Sequence, residues 1–80
     1  MHYVYILISE SFEDKKYVGY TLNVEERLIA HNNGQVPSTA SFKPWRISGY
    51  TAFADKGKAL KFEKYLKSSS GRAFAKKRLL

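Results

Sequence analysis

The segment His2-Tyr-Val-Tyr-Ile-Leu-Ile-Ser9 constrains the fold more than any other part of the chain. It is rich in β-branched and aromatic residues and too short for an ordinary helix, so it reads as a strand. Successive strand residues point to opposite faces, which puts Tyr3, Tyr5 and Leu7 on one side and Val4, Ile6 and Ile8 on the other. Both sets are apolar. The strand must therefore be central, and the rest of the chain has to cover it on two sides.

The polar run Glu10 to Lys15 predicts a loop, and Lys16-Tyr-Val-Gly-Tyr20 a second strand that returns antiparallel to the first. Gly19 sits inside that strand. An interior glycine weakens a strand and marks a bulge or a point where another group approaches the backbone closely. Asn23, followed three residues later by Glu26, forms a capping-box pattern and predicts a helix from about Val24 to Asn33, with Gly34 as its left-handed stop. At 3.6 residues per turn, Val24, Leu28 and His31 share one face and Arg27 flanks it. Gln35 to Pro44, with two prolines and a Ser/Thr cluster, reads as a loop. Trp45 to Phe53 predicts a third strand, again with an interior glycine. Asp55 is placed to cap a second helix from Lys56 or Gly57 to about Lys67. A break at Ser68-Ser-Ser-Gly71 and a short basic helix from Arg72 follow. The order ββαβα, with a short C-terminal helix, describes an α+β domain built on a small antiparallel sheet.

Eighty residues allow one domain, spanning 1–80. A chain of this size buries somewhat over ~60% of the surface it exposes when unfolded, so any functional site must share residues with a thin core. The hydrophobic fraction of 44% argues against disorder. The absence of cysteine excludes disulfides, thiolate nucleophiles and zinc–cysteine clusters, and fits a reducing compartment. The longest apolar stretch, Tyr3 to Ile8, is far shorter than the ~20 residues of a spanning helix, and no signal peptide is visible, so a soluble cytoplasmic protein with no membrane partner is expected. The net charge of +7 is unevenly placed. Residues 1–55 hold five basic and six acidic residues, whereas residues 56–80 hold nine basic and one acidic. That asymmetry favours a polyanionic partner, most often nucleic acid, over a merely solvated lysine-rich helix.

The one acid in the basic segment is Glu63, which borders the apolar stripe formed by Ala59, Phe62 and Leu66. A partly buried carboxylate there needs a cation, and a divalent metal, Arg27 or a neighbouring lysine would each serve; a Glu63–Lys67 pair at i, i+4 is the ordinary alternative. Arg27, a guanidinium at a core-facing edge, needs an anion, for which a phosphate or Glu63 would serve. Cross-strand aromatic packing is the ordinary explanation for most of Tyr3, Tyr5, Tyr17 and Tyr20, and a hydrogen-bonded structural role that for His31.

The order Tyr3-Val4-Tyr5, Tyr17-Val18-Gly19, Arg27 and then Glu63 resembles the GIY-YIG nuclease domain, whose two signature tripeptides these segments match with conservative changes. The Arg27-Leu-Ile-Ala-His31-Asn32 run and the Ala59 to Lys67 segment followed by Ser70-Gly71-Arg72 are similar to the small stand-alone bacterial members, and the resemblance spans essentially the whole chain. It implies a single domain with a three-stranded antiparallel sheet flanked by helices, and metal-dependent cleavage of DNA phosphodiesters. It further implies that Glu63 is the protein carboxylate on a Mg²⁺ or Mn²⁺ ion, that Arg27 clamps the phosphate, that Tyr17 accepts a proton from the attacking water, that Tyr5 helps position water or phosphate, and that His31 is a base or phosphate contact. A free tyrosine has a pKa near ~10 and acts as a base at neutral pH only beside a cation, such as a metal or Lys16. The sequence departs from the pattern in having Tyr3 for the first glycine, and Tyr20 and Ala75 where some relatives have Lys and Asn.

Three functions follow in order of expectation. The first is a metal-dependent endonuclease, structure-dependent or weakly sequence-specific because the chain leaves little room for base readout, and open to targeting by a protein partner. Lys16, Arg27, Lys61, Lys64, Lys67 and Arg72 would contact the DNA. The alternative is a nucleic-acid-binding module of the same fold with weak or no cleavage. The third is a basic domain that docks an acidic protein.

Overall fold

The two-faced apolar segment His2–Ser9 forms β1, the central strand of a three-stranded sheet, in the computed structural model, which describes residues 1–80. It pairs antiparallel with β2 (Lys16–Thr21) on one side and β3 (Trp45–Phe53) on the other. Between β2 and β3 run α1 (Val24–Asn32) and the single turn α2 (Pro37–Ala40), and α3 (Lys56–Leu66) and α4 (Ser69–Arg78) follow β3. The chain is an α+β domain with helices on both faces of the sheet.

Each face of β1 has its own small core. On one side Val4 and Ile6 pack with Ala59 and Leu66 of α3 and Ala75 of α4. On the other, Tyr5, Leu7 and Trp45 pack with Tyr17, Val24, Leu28, Phe42 and Ile47. A fully buried leucine such as Leu66 stabilises by about 1.5–3 kcal/mol, and with only 14 of 80 residues buried such side chains are few. In β3, Ile6 pairs with Gly49 and Leu7 with Ile47, so Ser48 is an extra residue in a bulge beside the interior glycine.

Local signals place most helix ends. Asn23 accepts a hydrogen bond from the Glu26 amide at 3.0 Å, and Asp55 accepts one from the Gly57 amide at 3.1 Å. The capping box is only half formed, because the Asn23 amide donates to Thr21 Oγ1 at 3.1 Å instead of meeting the Glu26 carboxylate. Gly34, at φ 75°, takes the left-handed conformation that stops α1.

Two expectations need correction. The segment Gln35 to Pro44 is not loop throughout, since Pro37 opens the helical turn α2, where its missing amide costs nothing. The break expected at Ser68 to Gly71 is shorter and lies earlier: α3 ends at Leu66, Lys67 and Ser68 separate it from the next helix, and α4 begins at Ser69, not Arg72. Ser68 is its N-cap and accepts from the Gly71 amide at 3.1 Å. Gly71 is buried, and a Cβ on it would overlap the Tyr65 carbonyl at the end of α3. The glycine therefore permits a tight helix–helix corner rather than breaking a helix.

Gly71→Ala is accordingly expected to destabilise the fold by about 1–3 kcal/mol despite alanine's better helix propensity. Urea denaturation followed by circular dichroism measures this, and a midpoint matching wild type would contradict the close approach of α3 and α4.

Candidate active site

β1 turns Tyr5 toward the α1 side of the sheet, where it is paired with Gly19 of the edge strand β2. The Tyr5 ring lies directly over that glycine: a Cβ at residue 19 would stand 2.5 Å from the Tyr5 hydroxyl oxygen. The interior glycine thus marks a close approach, and its lack of a side chain lets the phenol extend across β2. Tyr17, two residues earlier on the same face, brings a second phenol to within 6.2 Å of Tyr5 between ring centroids.

From α1, His31 projects into the same place. It is wholly buried, and its ring meets Tyr17 edge-on with centroids 4.9 Å apart. Both ring nitrogens are engaged, Nε2 with the Tyr5 hydroxyl at 2.9 Å and Nδ1 with Thr39 Oγ1 at 2.7 Å. Thr39 donates its own proton to the Val36 carbonyl at 3.2 Å. It can therefore only accept from His31, so Nδ1 carries the proton and Tyr5 donates to Nε2. Trp45 supports this chain by donating from Nε1 to the Thr39 carbonyl at 2.9 Å. Asn32 ties α1 to the start of β3 by accepting from the Trp45 amide at 2.6 Å and donating to its carbonyl at 3.1 Å.

Arg27, one helical turn before His31, is half-buried and forms no ion pair with any carboxylate. It interacts instead with the two phenols. Hydrogen bonding to Tyr5 is the largest influence raising its pKa, with further support from Tyr17. Burial raises the pKa of Tyr5, and Arg27 pulls the other way. His31 is shifted below its usual range, chiefly by burial and then by the charge of Arg27. The site therefore combines a neutral imidazole, a protonated Tyr5 and a guanidinium without a counter-ion.

Glu63 reaches this group from α3, near enough for its charge to contribute to the raised pKa of Tyr5. Its side chain is 21% exposed and accepts from Lys67 Nζ at 3.2 Å through Oε2. Of the cations considered for it, the structure supplies Lys67 and not Arg27. A helix-surface pair of this kind contributes only about 0.3–0.5 kcal/mol, too little to keep a divalent ion from the carboxylate. Oε1 has no protein hydrogen bond, and no group of three or more His, Asp or Glu side chains converges anywhere. A lone, partly exposed carboxylate suits a hard ion that retains most of its waters, such as Mg²⁺ or Mn²⁺, and does not suit zinc.

Tyr5, Tyr17, Arg27 and His31 thus come together on one face, and Glu63 approaches from the helix on the other. Of the lysines and arginine singled out from sequence, Lys16, Lys67 and Arg72 line one groove, joined there by Lys76, while Lys61 and Lys64 are exposed on α3 and do not line it. Thr39 was not identified from the sequence. The available signal was Pro37, which opens a turn that faces Thr39 toward α1.

The family model described as the GIY-YIG catalytic domain matches residues 1–78. A UPF0213 protein of Staphylococcus saprophyticus is 36% identical over 70 residues, covering 86% of this chain and 83% of that protein. A UPF0213 protein of Cupriavidus necator is 40% identical over 74 residues, covering 88% and 80%. A structure-specific endonuclease subunit SLX1 homolog of Cryptosporidium parvum is 37% identical over 68 residues, 79% of this chain but 16% of that protein. The chain therefore spans about a sixth of that relative.

The buried imidazole makes stability pH-dependent. With its pKa lowered in the fold, the unfolded chain takes up the proton first, so the His31 contribution is complete above the ordinary value of about 6.5 and is lost as pH falls through the lowered one. Urea midpoints between neutral and mildly acidic pH are expected to fall for wild type and to fall less steeply for His31→Gln. Parallel pH profiles would refute the assignment.

Proposed function

The chain belongs to the GIY-YIG family, and from that premise we propose that it is a divalent-metal-dependent endonuclease that hydrolyses DNA phosphodiester bonds. The observation that carries this reading is Arg27, a partly buried residue whose charge is influenced by both phenols and which has no carboxylate within ion-pair distance. Such a group is built to meet an anion that the protein does not contain, and a phosphodiester offers two oxygens to its forked donors.

Arg27 binds the non-bridging oxygens and stabilises the charge that accumulates on them in the transition state. Tyr17, on the edge strand and only partly buried, accepts the proton of the attacking water, entering the step as a phenolate and leaving it as the neutral phenol, with Arg27 the cation beside it. His31 has no exposed surface and both nitrogens are occupied, so it acts by holding Tyr5 and not by meeting water. Tyr5, protonated and hydrogen-bonded, keeps Arg27 aimed at the substrate. Glu63 would hold the metal ion, since Lys67 occupies only one of its carboxylate oxygens. A bound Mg²⁺ or Mn²⁺ supplies Lewis-acid polarisation of the phosphate.

The basic rim of Lys16, Lys67 and Arg72 would carry the DNA backbone, and Lys61 and Lys64 add to its attraction at longer range. Backbone contacts position without reading sequence, so the cleavage is structure-dependent or weakly sequence-specific. One relative is described as a subunit, which supports a protein partner that supplies targeting. A second reading, binding without cleavage, draws on the Glu63–Lys67 pair, which gives the carboxylate an ordinary occupation. No helix is long and apolar enough to cross a membrane.

Plasmid nicking in Mg²⁺ or Mn²⁺ is the test. Arg27→Ala is expected to lose about 10²–10³ in rate, as removal of an oxyanion donor does, and Tyr17→Phe about 10²–10⁴, as loss of a general base does. Glu63→Gln should abolish stimulation by metal. Equal nicking by wild type, Arg27→Ala and Glu63→Gln would end the endonuclease reading. DNA binding with a steep salt dependence, about −0.9 in slope per phosphate contacted, and no product at any metal concentration would favour the binding module.

A further inference from the structure

The largest groove in the molecule, about 670 Å³, lies on the face of the sheet opposite Tyr5, against β1, β2, α3 and α4. Aliphatic side chains from all four elements form its floor, and Lys16, Lys67, Arg72 and Lys76 stand around it, with Asp14 the single acid. Neither the core nor the phosphate clamp accounts for this combination. A DNA backbone lying on the surface needs cations alone, and a core needs no opening. An apolar floor beneath four cations fits a ligand with a flat, weakly polar body and an attached anion, which is the chemistry of a nucleotide.

The groove also adjoins the site. Lys67 is bonded to Glu63 at 3.2 Å, and Lys16 immediately precedes Tyr17 along β2. A strand whose scissile phosphate rests on Arg27 would continue past the edge of β2 toward these cations.

We propose that this groove receives an unpaired nucleotide of the substrate strand, its base against the aliphatic floor and its phosphates against Lys16, Arg72 and Lys76, so that a DNA branch or frayed end is preferred to continuous duplex. The inference rests on the endonuclease reading and specifies its substrate. The volume falls within the 300–1,000 Å³ typical of small-ligand sites, ample for a nucleotide and far too small for a double helix. Extracting a base from a duplex costs unstacking and unpairing that an already unpaired base avoids, and this converts the groove into selectivity. A lipid surface is a poorer match because, of the five apolar residues lining the groove, only Leu80 is exposed. A second copy of the chain is opposed by the net charge of +7 on each.

Fluorescence anisotropy in EDTA, where metal-dependent cleavage cannot contribute, compares a blunt duplex with the same duplex bearing a short unpaired tail. Wild type is expected to bind the tailed DNA on the order of tenfold more tightly. The double variant Arg72→Glu/Lys76→Glu, at exposed positions of α4, should bring that ratio close to one while retaining the wild-type thermal melt. Lys61→Glu, exposed on α3 outside the groove, should weaken both complexes and preserve the ratio. Equal or undetectable binding of tailed DNA by wild type, or a tail preference that survives the double variant, would overturn the proposal. Tail preference without nicking in Mg²⁺ or Mn²⁺ removes the endonuclease reading alone, and nicking without tail preference removes the groove reading alone.

Discussion

The hydrogen-bond chain from Tyr5 through His31 and Thr39 to the Val36 carbonyl organises this domain. It joins the central strand, the first long helix and the turn before β3, three pieces of chain that share no local contact in sequence. Leaving any member buried without its partner would cost about 1–3 kcal/mol, a large share of what so small a domain has to spare. Complete, the chain fixes the rotation of α1 about its axis. That rotation puts Arg27, one turn earlier, beside both phenols. Gly19 is the condition for all of it, because any side chain there would collide with the Tyr5 ring.

The two faces of the sheet divide the work. The α1 face is polar at its centre, with a neutral imidazole and two tyrosines set among Leu7, Trp45 and Leu28. The other face is conventional hydrophobic packing, Val4 and Ile6 under Ala59, Leu66 and Ala75, and it positions α3 so that Glu63 projects at its border. Both faces thus contribute buried residues, and neither has residues to spare. Ala75 belongs to this packed side and is 6% exposed.

Much of the fold was legible because its signals are short-range. Two apolar faces on eight residues announce a central strand, Asn23 and Asp55 announce helix starts, and Gly34 announces a stop, each through neighbours within one turn. The reading failed where a residue's meaning lay in a distant contact. Ser68 to Gly71 has the composition of a break, but Ser68 is a cap and Gly71 makes room for the Tyr65 carbonyl. Thr39 looked like one of several loop hydroxyls until α2 turned it toward His31. For Glu63 the spacing already offered Lys67 as an i, i+4 partner, and what only the packed structure shows is that Arg27 does not pair with it.

The sequence by itself determined the element order, the central position of β1, the neighbouring placement of Arg27 and His31 on one helix, and the concentration of positive charge around a single acid. These depend on strand alternation, helical periodicity and composition, which are properties of adjacent residues. Tertiary structure alone decided that Tyr5 reaches over Gly19 to His31, that Thr39 fixes the tautomer of that imidazole, that Arg27 is left without a carboxylate, and that Lys16 joins three cations of the basic end around one groove. Apart from the Thr39 bond, which spans eight residues, these features depend on how segments tens of residues apart come together, and that is set by how the helices pack on the sheet.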